Sequence, residues 1–311
     1  MSSQRQAVPG WLGARPGVTA LGGALCIAFS GILVRLADVT PDTAAVFRCL
    51  LAVPVLGLLA SSERRSFGPR TTRDRALAVA AGVFFALDLA FWHRSIQSVG
   101  AGLATVLGNL QVVFVALAAW AILGERPGRL ILAAIPVALS GIVLISGVLE
   151  DAAFGRDPVG GVMFGILTSL AYTGFILVLR RGNQDLRRPA GPLFDATATS
   201  AVVGTGIGLS LGTLDPTPGW PAFGWLVALA LTSQVVGWLL ISVTLPRLPA
   251  AVTSMLLTVQ PVGAVLLAML ILSESPSALQ LLGVVLVLAG VVAVGISRRR
   301  TVPTAVPEPA G

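Results

Sequence analysis

The stretch AGLATVLGNLQVVFVALAAWAILGERPGRLILAAIPVALSGIVLIS, residues 101–146, decides the fold because the chain contains it twice. Residues 250–295 align with it without a gap, and fifteen of the 46 aligned pairs are identical. The uncommon identical pairs are Gln111 and Gln260, Glu125 and Glu274, Pro127 and Pro276, and Gly141 and Gly290. Each copy is an apolar run with a central Gln, a Glu-x-Pro break and a second apolar run. Two copies are too few for a solenoid, so the repeat predicts one duplicated membrane unit.

The composition is that of a membrane protein. The 311 residues are 55% hydrophobic and 11% charged, whereas an ordinary soluble domain is about 25% charged. All basic residues are Arg, and they cluster in short segments between apolar runs, so we expect no nucleic-acid partner despite the net charge of +7. Cys26 and Cys49 lie inside apolar runs without a metal or redox motif. No enzyme motif is found, and we expect no catalytic residue, cofactor or metal.

Ten apolar runs predict ten transmembrane helices, most of them near the roughly 20 residues that a helix needs to cross the hydrocarbon layer. Helices rather than a barrel fit, because no alternating strand pattern is present. The runs are 17–37, 44–61, 76–95, 101–123, 129–149, 158–180, 192–213, 222–245, 250–272 and 277–297. The second is short by this measure. The predicted fold class is an all-α polytopic membrane protein.

The arginines predict the orientation. With the N-terminus in the cytoplasm and alternating spans, 17 of the 21 arginines fall on the inner side. We therefore expect both termini to be cytoplasmic in a bacterial-type inner membrane. Five helices per half is an odd number, so the second repeat (158–297) must enter the membrane inverted relative to the first (17–149). Residues 1–16 and 298–311 are polar or Pro-rich and are predicted to be disordered tails.

The ten runs, the two five-helix halves and the repeated endings LGERPGRL and LSESPSAL resemble EamA-type transporters of the drug/metabolite transporter superfamily. The segment FALDLAFWHRSIQSVGAGLATVLGNLQ, residues 85–111, is also similar to a bacterial branch of that group. The resemblance implies a small-metabolite carrier, very often an exporter, and leaves the substrate open. The family usually carries Pro in the middle of the fourth and ninth helices. Pro261 is present in the ninth, but Val112 stands in the fourth, so we expect a weaker kink in the first half.

Polar residues in mid-helix predict where a substrate binds. Gln111 and Gln260 lie near the middle of their helices, and inversion would bring them to the same depth. Their amides either line a substrate site or hold helices together. Pro261 removes a backbone donor and would leave the carbonyl near Leu257 free to face the cavity. Asn109 is a weaker candidate, and it lies about 200° from Gln111 around a regular helix, so the two cannot both face the pore.

Two aromatic residues complete the predicted binding set. Trp92 lies one turn after Asp88 on the same helix face, and Tyr172 aligns with Phe29 of the first repeat.

Asp88 lies inside the third apolar run, where a carboxylate is costly and marks a functional site by default. Two roles remain open. Asp88 could bind and release protons as the cavity switches sides, or it could form a permanent ion pair with Arg48 or Arg94. Arg48 could equally anchor to lipid headgroups or attract anions. His93, the single histidine, is either part of this group or an interfacial residue with one hydrogen bond.

These features predict a secondary transporter that exports a small metabolite or drug-like amphiphile by alternating access. It would be proton-coupled if Asp88 titrates. An importer or exchanger of an amino-acid-like solute is the alternative, and a non-transporting membrane protein that binds lipids or partners is the different class. The expected partners are a small-molecule substrate, membrane lipids and, with coupling, protons; the sequence predicts no oligomeric state.

Overall fold

The computed structural model describes residues 16–123, 128–182, 185, 187–244 and 250–297. These residues form thirteen α-helices and a π-helical segment, with no strand among them. The α-helices are α1 (Pro16–Ala28), α2 (Ser30–Ala37), α3 (Pro41–Phe67), α4 (Thr72–Val99), α5 (Ala101–Gly108), α6 (Gln111–Leu123), α7 (Arg129–Ile145), α8 (Pro158–Gly182), α9 (Ala190–Ser210), α10 (Ala222–Leu229), α11 (Trp238–Thr244), α12 (Ala250–Ile271) and α13 (Ala278–Ser297). The π segment, Ala230–Gly237, joins α10 to α11. The predicted tails, apart from Pro16, and the residues Glu125 and Pro127 lie outside the described part.

Each of the ten apolar runs is mainly helical in its described part, with turns at residue 29, at residues 109–110 and near several run ends. Six helical stretches of the described residues are long and apolar enough to cross a membrane, and three shorter apolar helices accompany them. The second run, which is short in the sequence, belongs to α3, a helix of 27 residues. The extra length comes from polar ends, since Thr40 caps the helix through the Thr43 N–H and Pro41 occupies its first position.

The expected asymmetry of the fourth and ninth helices is wrong. The first-half helix is the interrupted one: α5 ends at Gly108 and α6 begins at Gln111. Backbone bonds across the break are of the tighter 3₁₀ type, including Leu110 N–H to the Leu107 carbonyl at 3.0 Å. The second-half helix α12 continues through Pro261. A missing proline therefore does not predict a regular helix here.

Helices α3 and α9 pack closely at small residues. A side chain at Gly204 would contact Val46 of α3, and one at Gly208 would contact Asp42. Gly204, Gly208 and Gly212 form a GxxxGxxxG pattern in the sequence, and such patterns let neighbouring helices approach closely. The first two of these glycines form the packing face against α3. Gly212, the third glycine of the pattern, instead lies beyond the helix end with φ of 65°. It ends α9, because Thr213 N–H donates to the Gly208 carbonyl at 2.9 Å.

The packing of α7 against α13 is reciprocal. A Cβ on Gly141 would lie 2.6 Å from the Gly283 carbonyl oxygen, and a Cβ on Gly290 would lie 3.1 Å from that of Ala134. In the sequence repeat, Gly141 aligns with Gly290 and Ala134 aligns with Gly283. The two contacts are thus the same contact made twice, with the helices antiparallel. Such exchange of partners is the signature of a two-fold axis.

Carboxylates from distant parts of the chain cap two helix N-termini. Glu274 accepts hydrogen bonds from the Ala101 and Gly102 N–H groups of α5 at 2.7 and 3.2 Å. Burial raises the pKa of Glu274, and these two N–H donors oppose that shift. Glu63 accepts from the Ala190 and Gly191 N–H groups of α9 at 2.9 and 2.8 Å. Glu274 therefore caps a helix that belongs to the other copy of the sequence repeat.

We predict that Gly141→Leu destabilises the protein by roughly 1–3 kcal/mol, because the new side chain would overlap the α13 backbone. Gly206→Leu on α9 is the matched control, since a Cβ at Gly206 meets nothing within 4 Å. The measurement is the midpoint of thermal unfolding of the purified protein, followed by tryptophan fluorescence. Equal midpoints for the two variants would contradict the close packing of α7 on α13.

Candidate functional site

A guanidinium is buried within the helix assembly. Arg48 of α3 is only 3% exposed. Its Nε donates to Gln234 Oε1 at 2.9 Å, and Gln234 Nε2 in turn donates to Thr197 Oγ1 of α9 at 3.0 Å. The Trp92 ring of α4 lies beneath the guanidinium, with its centroid 5.7 Å from Cζ. Three helical elements and a ring thus fix the position of one cation.

The terminal nitrogens of Arg48 have no acceptor among the described residues. The same is true of the Asp88 carboxylate, which makes no ion pair and no hydrogen bond there. Asp88 is buried, and it lies near enough to Arg48 and Tyr172 to interact with both electrostatically. A basic and an acidic side chain are therefore buried within electrostatic range of each other without a direct ion pair. Each keeps its hydrogen-bonding capacity for another group.

An aromatic wall adjoins this pair of charges. Tyr172 and Phe175 of α8 stack with ring centroids 5.7 Å apart, and Phe85 stacks on Phe175 at 4.7 Å. Trp238 of α11 meets Tyr172 and Phe175 edge-on at 6.1 and 5.5 Å. The Trp238 indole N–H has no hydrogen-bond partner among the described residues. The wall offers apolar faces together with two polar groups, a phenol and an indole N–H.

Helix geometry explains why the α4 residues meet. Phe85, Asp88 and Trp92 follow one another at spacings of three and four, so they share one helix face. That face lies against α8, the helix that carries Tyr172 and Phe175. The structure therefore brings together four of the predicted residues, which are Arg48, Asp88, Trp92 and Tyr172.

Arg94 and Asp195 form ion pairs that include neither Arg48 nor Asp88. Arg94 binds Asp42 of α3 at 2.8 Å rather than Asp88, and also donates to the Ala90 carbonyl. Asp195, the repeat counterpart of Arg48, pairs with Arg70 at 2.7 Å. These two ion pairs occupy opposite ends of α3. Neither pair engages Asp88 or Arg48.

His93 is buried and hydrogen-bonded within its own helix. It is fully buried, its Nδ1 donates to the Leu89 carbonyl at 2.7 Å, and its ring meets Trp92 edge-on at 5.2 Å. The Nε2 atom has no partner among the described residues. The ring packs behind Trp92, and its one hydrogen bond is to its own helix.

The two glutamines differ in their surroundings. Gln111 is buried at the start of α6, and its Oε1 has no partner in the described part of the chain. Gln260 is half-buried next to the buried Pro261. Asn109 donates to the Thr105 carbonyl at 2.8 Å, which satisfies the broken helix rather than a ligand. Because α5 and α6 are interrupted between them, the 200° separation of Asn109 and Gln111 does not hold.

Sequence reasoning missed Gln234, Thr197 and Trp238. Gln234 is fully buried and lies in the π segment, where one extra residue per turn turns the amide toward α3. The available signal was the Thr-Ser-Gln triplet at 232–234 inside an otherwise apolar run. A polar triplet at that depth needs partners, and π segments recur at functional sites.

Comparisons with known proteins agree on the class of protein. The EamA-like transporter family matches residues 16–147 and again residues 159–296. The chain is similar to the uncharacterized transporter YxxF of Bacillus subtilis (strain 168), at 24% identity over 261 residues that cover 80% of either chain. A crystal structure described only as that of a protein covers 93% of this chain and 99% of its own, with a TM-score of 0.61 at 16% identity. That last likeness concerns the fold alone.

We predict that Gln234→Met lowers the stability of the folded protein by about 1–2 kcal/mol, because Met keeps the length but leaves Arg48 Nε without an acceptor. Gln97→Met is the control, since Gln97 is exposed and donates to a backbone carbonyl near the helix end. Thermal unfolding of both purified variants measures the difference. An unchanged midpoint in Gln234→Met would show that Arg48 does not depend on this amide.

Proposed function

The chain belongs to the EamA-like transporter family, and we propose that it is a secondary transporter that exports a small metabolite or drug-like amphiphile by alternating access. One observation carries the proposal: Arg48 and Asp88 are buried within electrostatic range of each other, without a direct ion pair, near an aromatic wall. Burying ionisable side chains without a direct partner is costly, so a protein keeps such a site for a ligand or for an ion. The aromatic wall suits the apolar part of the same solute.

We propose that the substrate's charged group binds at the Arg48 guanidinium, whose flat fork suits a carboxylate or phosphate. Its apolar part would lie against Tyr172 and Trp238, with Trp92 supporting the guanidinium from below. Gln111 and Gln260, the latter beside Pro261, would supply further amide contacts to the substrate. Asn109 and His93 would act indirectly, because each donates a hydrogen bond to a backbone carbonyl four residues earlier in the chain. Two opposite charges also favour the second candidate, an amino-acid-like zwitterion taken up or exchanged, since each of its charges would find a counterpart.

The protein is a multi-pass membrane protein, and we propose ten spans in two inverted five-helix repeats. The family matches each half separately, and the reciprocal antiparallel contacts of α7 and α13 support a two-fold axis in the membrane plane. The arginine distribution supports cytoplasmic termini in an inner membrane.

The orientation can be tested with a reporter that works only in the periplasm, fused after Arg300. We expect this reporter to be inactive, because the C-terminus is proposed to be cytoplasmic. Reporter activity would show the opposite orientation.

The experiment that tests transport compares metabolites inside and outside cells that overproduce or lack the protein. We expect one solute class to rise outside the overproducing cells. Arg48→Gln, produced at the same level, should abolish that rise because it removes the cation from the site. Accumulation inside the cells would favour the amino-acid-like alternative. Identical metabolite profiles in all strains would contradict transport and favour a lipid- or partner-binding membrane protein.

We further propose that Asp88 couples export to protons. The carboxylate has no ion pair among the described residues, and Arg94 is engaged by Asp42. Asp88→Asn keeps the shape and cannot titrate, so the variant should still exchange substrate but lose accumulation driven by a pH gradient. Asp195→Asn is the control, because Asp195 is already paired with Arg70. Transport of labelled substrate in proteoliposomes measures both, and gradient-driven accumulation by Asp88→Asn would exclude coupling at this residue.

A further inference from the structure

A cavity lies where α3 ends and α9 begins, away from Arg48 and Asp88. Its volume is about 400 Å³. That value is near the lower end of the roughly 300–1,000 Å³ of small-molecule sites, so the cavity can hold a headgroup rather than a whole lipid. One end is formed by Pro54, Gly57 and Leu58, and the other by Arg64 and Arg75. The cavity thus has an apolar and a cationic end.

The charges of this cavity do not cancel. Four arginines and two acids line it, which leaves two positive charges. Both acids are already engaged, since Glu63 caps α9 through two backbone N–H groups and Asp195 binds Arg70 at 2.7 Å. Arg188, the fourth lining arginine, donates to the Phe67 and Gly68 carbonyls.

Two arginines remain for a ligand. Arg64 makes no ion pair within the described part of the chain, and Arg75 Nε lies 3.9 Å from Asp195 Oδ2, which is at most a loose contact. Both side chains are exposed at the protein surface. An anion entering here would meet two guanidinium groups that lose no stronger partner by binding it.

The apolar end indicates what kind of anion fits. Leu58 is 74% exposed on the outer surface of α3, six residues before Arg64. At 1.5 Å per residue the two positions are separated by roughly 9 Å along the helix axis. An acyl chain can therefore run along Leu58 while its headgroup reaches Arg64. A soluble anion would make no use of that apolar end.

We propose that this cavity binds the phosphate headgroup of an anionic phospholipid, with Arg64 and Arg75 contacting the phosphate. Basic pockets between transmembrane helices on the cytoplasmic side commonly bind such headgroups. A bound lipid would join the end of α3 to the start of α9, where Glu63 and Arg70 already connect the two repeats. The proposal does not require transport, so its failure would leave the proposed function standing.

The test measures phosphatidylglycerol binding to the purified full chain by native mass spectrometry. Phosphatidylcholine with the same acyl chains, which has a phosphate but no net charge, is the comparison lipid. We expect the wild type to retain phosphatidylglycerol selectively. The double variant Arg64→Gln/Arg75→Gln should bind it roughly twenty-fivefold more weakly, which is about fivefold for each arginine.

The control variant is Arg65→Gln/Arg73→Gln, which removes two exposed arginines beside the same cavity without touching its lining. It should bind phosphatidylglycerol as the wild type does, and an equal loss in both double variants would reduce the effect to surface charge and overturn the site. Competition with glycerol phosphate distinguishes a phospholipid headgroup from a soluble phosphate compound as the ligand of the cavity. Full displacement of the lipid by millimolar glycerol phosphate would assign the cavity to a soluble phosphate and overturn the lipid proposal.

Folding of the variant does not limit the test. If Arg64→Gln/Arg75→Gln cannot be purified, Arg64→Lys/Arg75→Lys keeps both charges and should keep selective binding. The wild-type protein alone also tests the proposal, because equal retention of phosphatidylglycerol and phosphatidylcholine would contradict recognition of the negative charge.

Discussion

The constraint on which the rest of the structure depends is the burial of Arg48 in an apolar helix assembly. A guanidinium in such surroundings loses its hydration, and the loss is recovered only through fixed acceptors and ring faces. Gln234 supplies one acceptor and Trp92 supplies a ring face. Neither neutralises the charge. The structure thus satisfies the Nε end of the side chain and leaves the terminal nitrogens for another acceptor.

This constraint explains the irregular helix that faces α3. A regular α-helix through 222–244 would present its side chains at one angular spacing, whereas the π segment widens the turn that carries Gln234. Ser233 beside it donates to the Cys26 carbonyl of α1 at 2.8 Å, which fixes the segment from the other side. Two neighbouring polar residues thus point to two different helices. The irregularity and the buried cation are parts of one arrangement.

The ends of the helices are held by a separate set of charges. Glu274, from the second repeat, caps α5 of the first, and Glu63, from the first, caps α9 of the second. Gly100, with φ of 92°, allows the first of these contacts, because a Cβ there would lie 2.8 Å from Glu274 Oε2. Each repeat therefore completes a helix end of the other. Changes at these ends would alter how the repeats fit together without touching the interior charges.

How much of the fold and of the candidate site the sequence could predict depends on how far apart in the chain the interacting residues lie. Helix positions follow from apolar run lengths, which are local, and α4 brings Asp88 and Trp92 onto one face by spacing alone. The break between α5 and α6 could not be read from composition, because no proline marks it and the 3₁₀ bonds at Asn109 and Leu110 form it instead.

Gln234 shows the limit most clearly, since its partner Arg48 is 186 residues away in the chain. Its role depends on a π turn that no spacing rule reports. A series of apolar helices can be recognised from sequence because lipid selects for apolar residues along the whole length of each helix. A site within those helices is formed by the few polar residues that interrupt the apolar sequence. The partners of those residues are known only once the helices are packed.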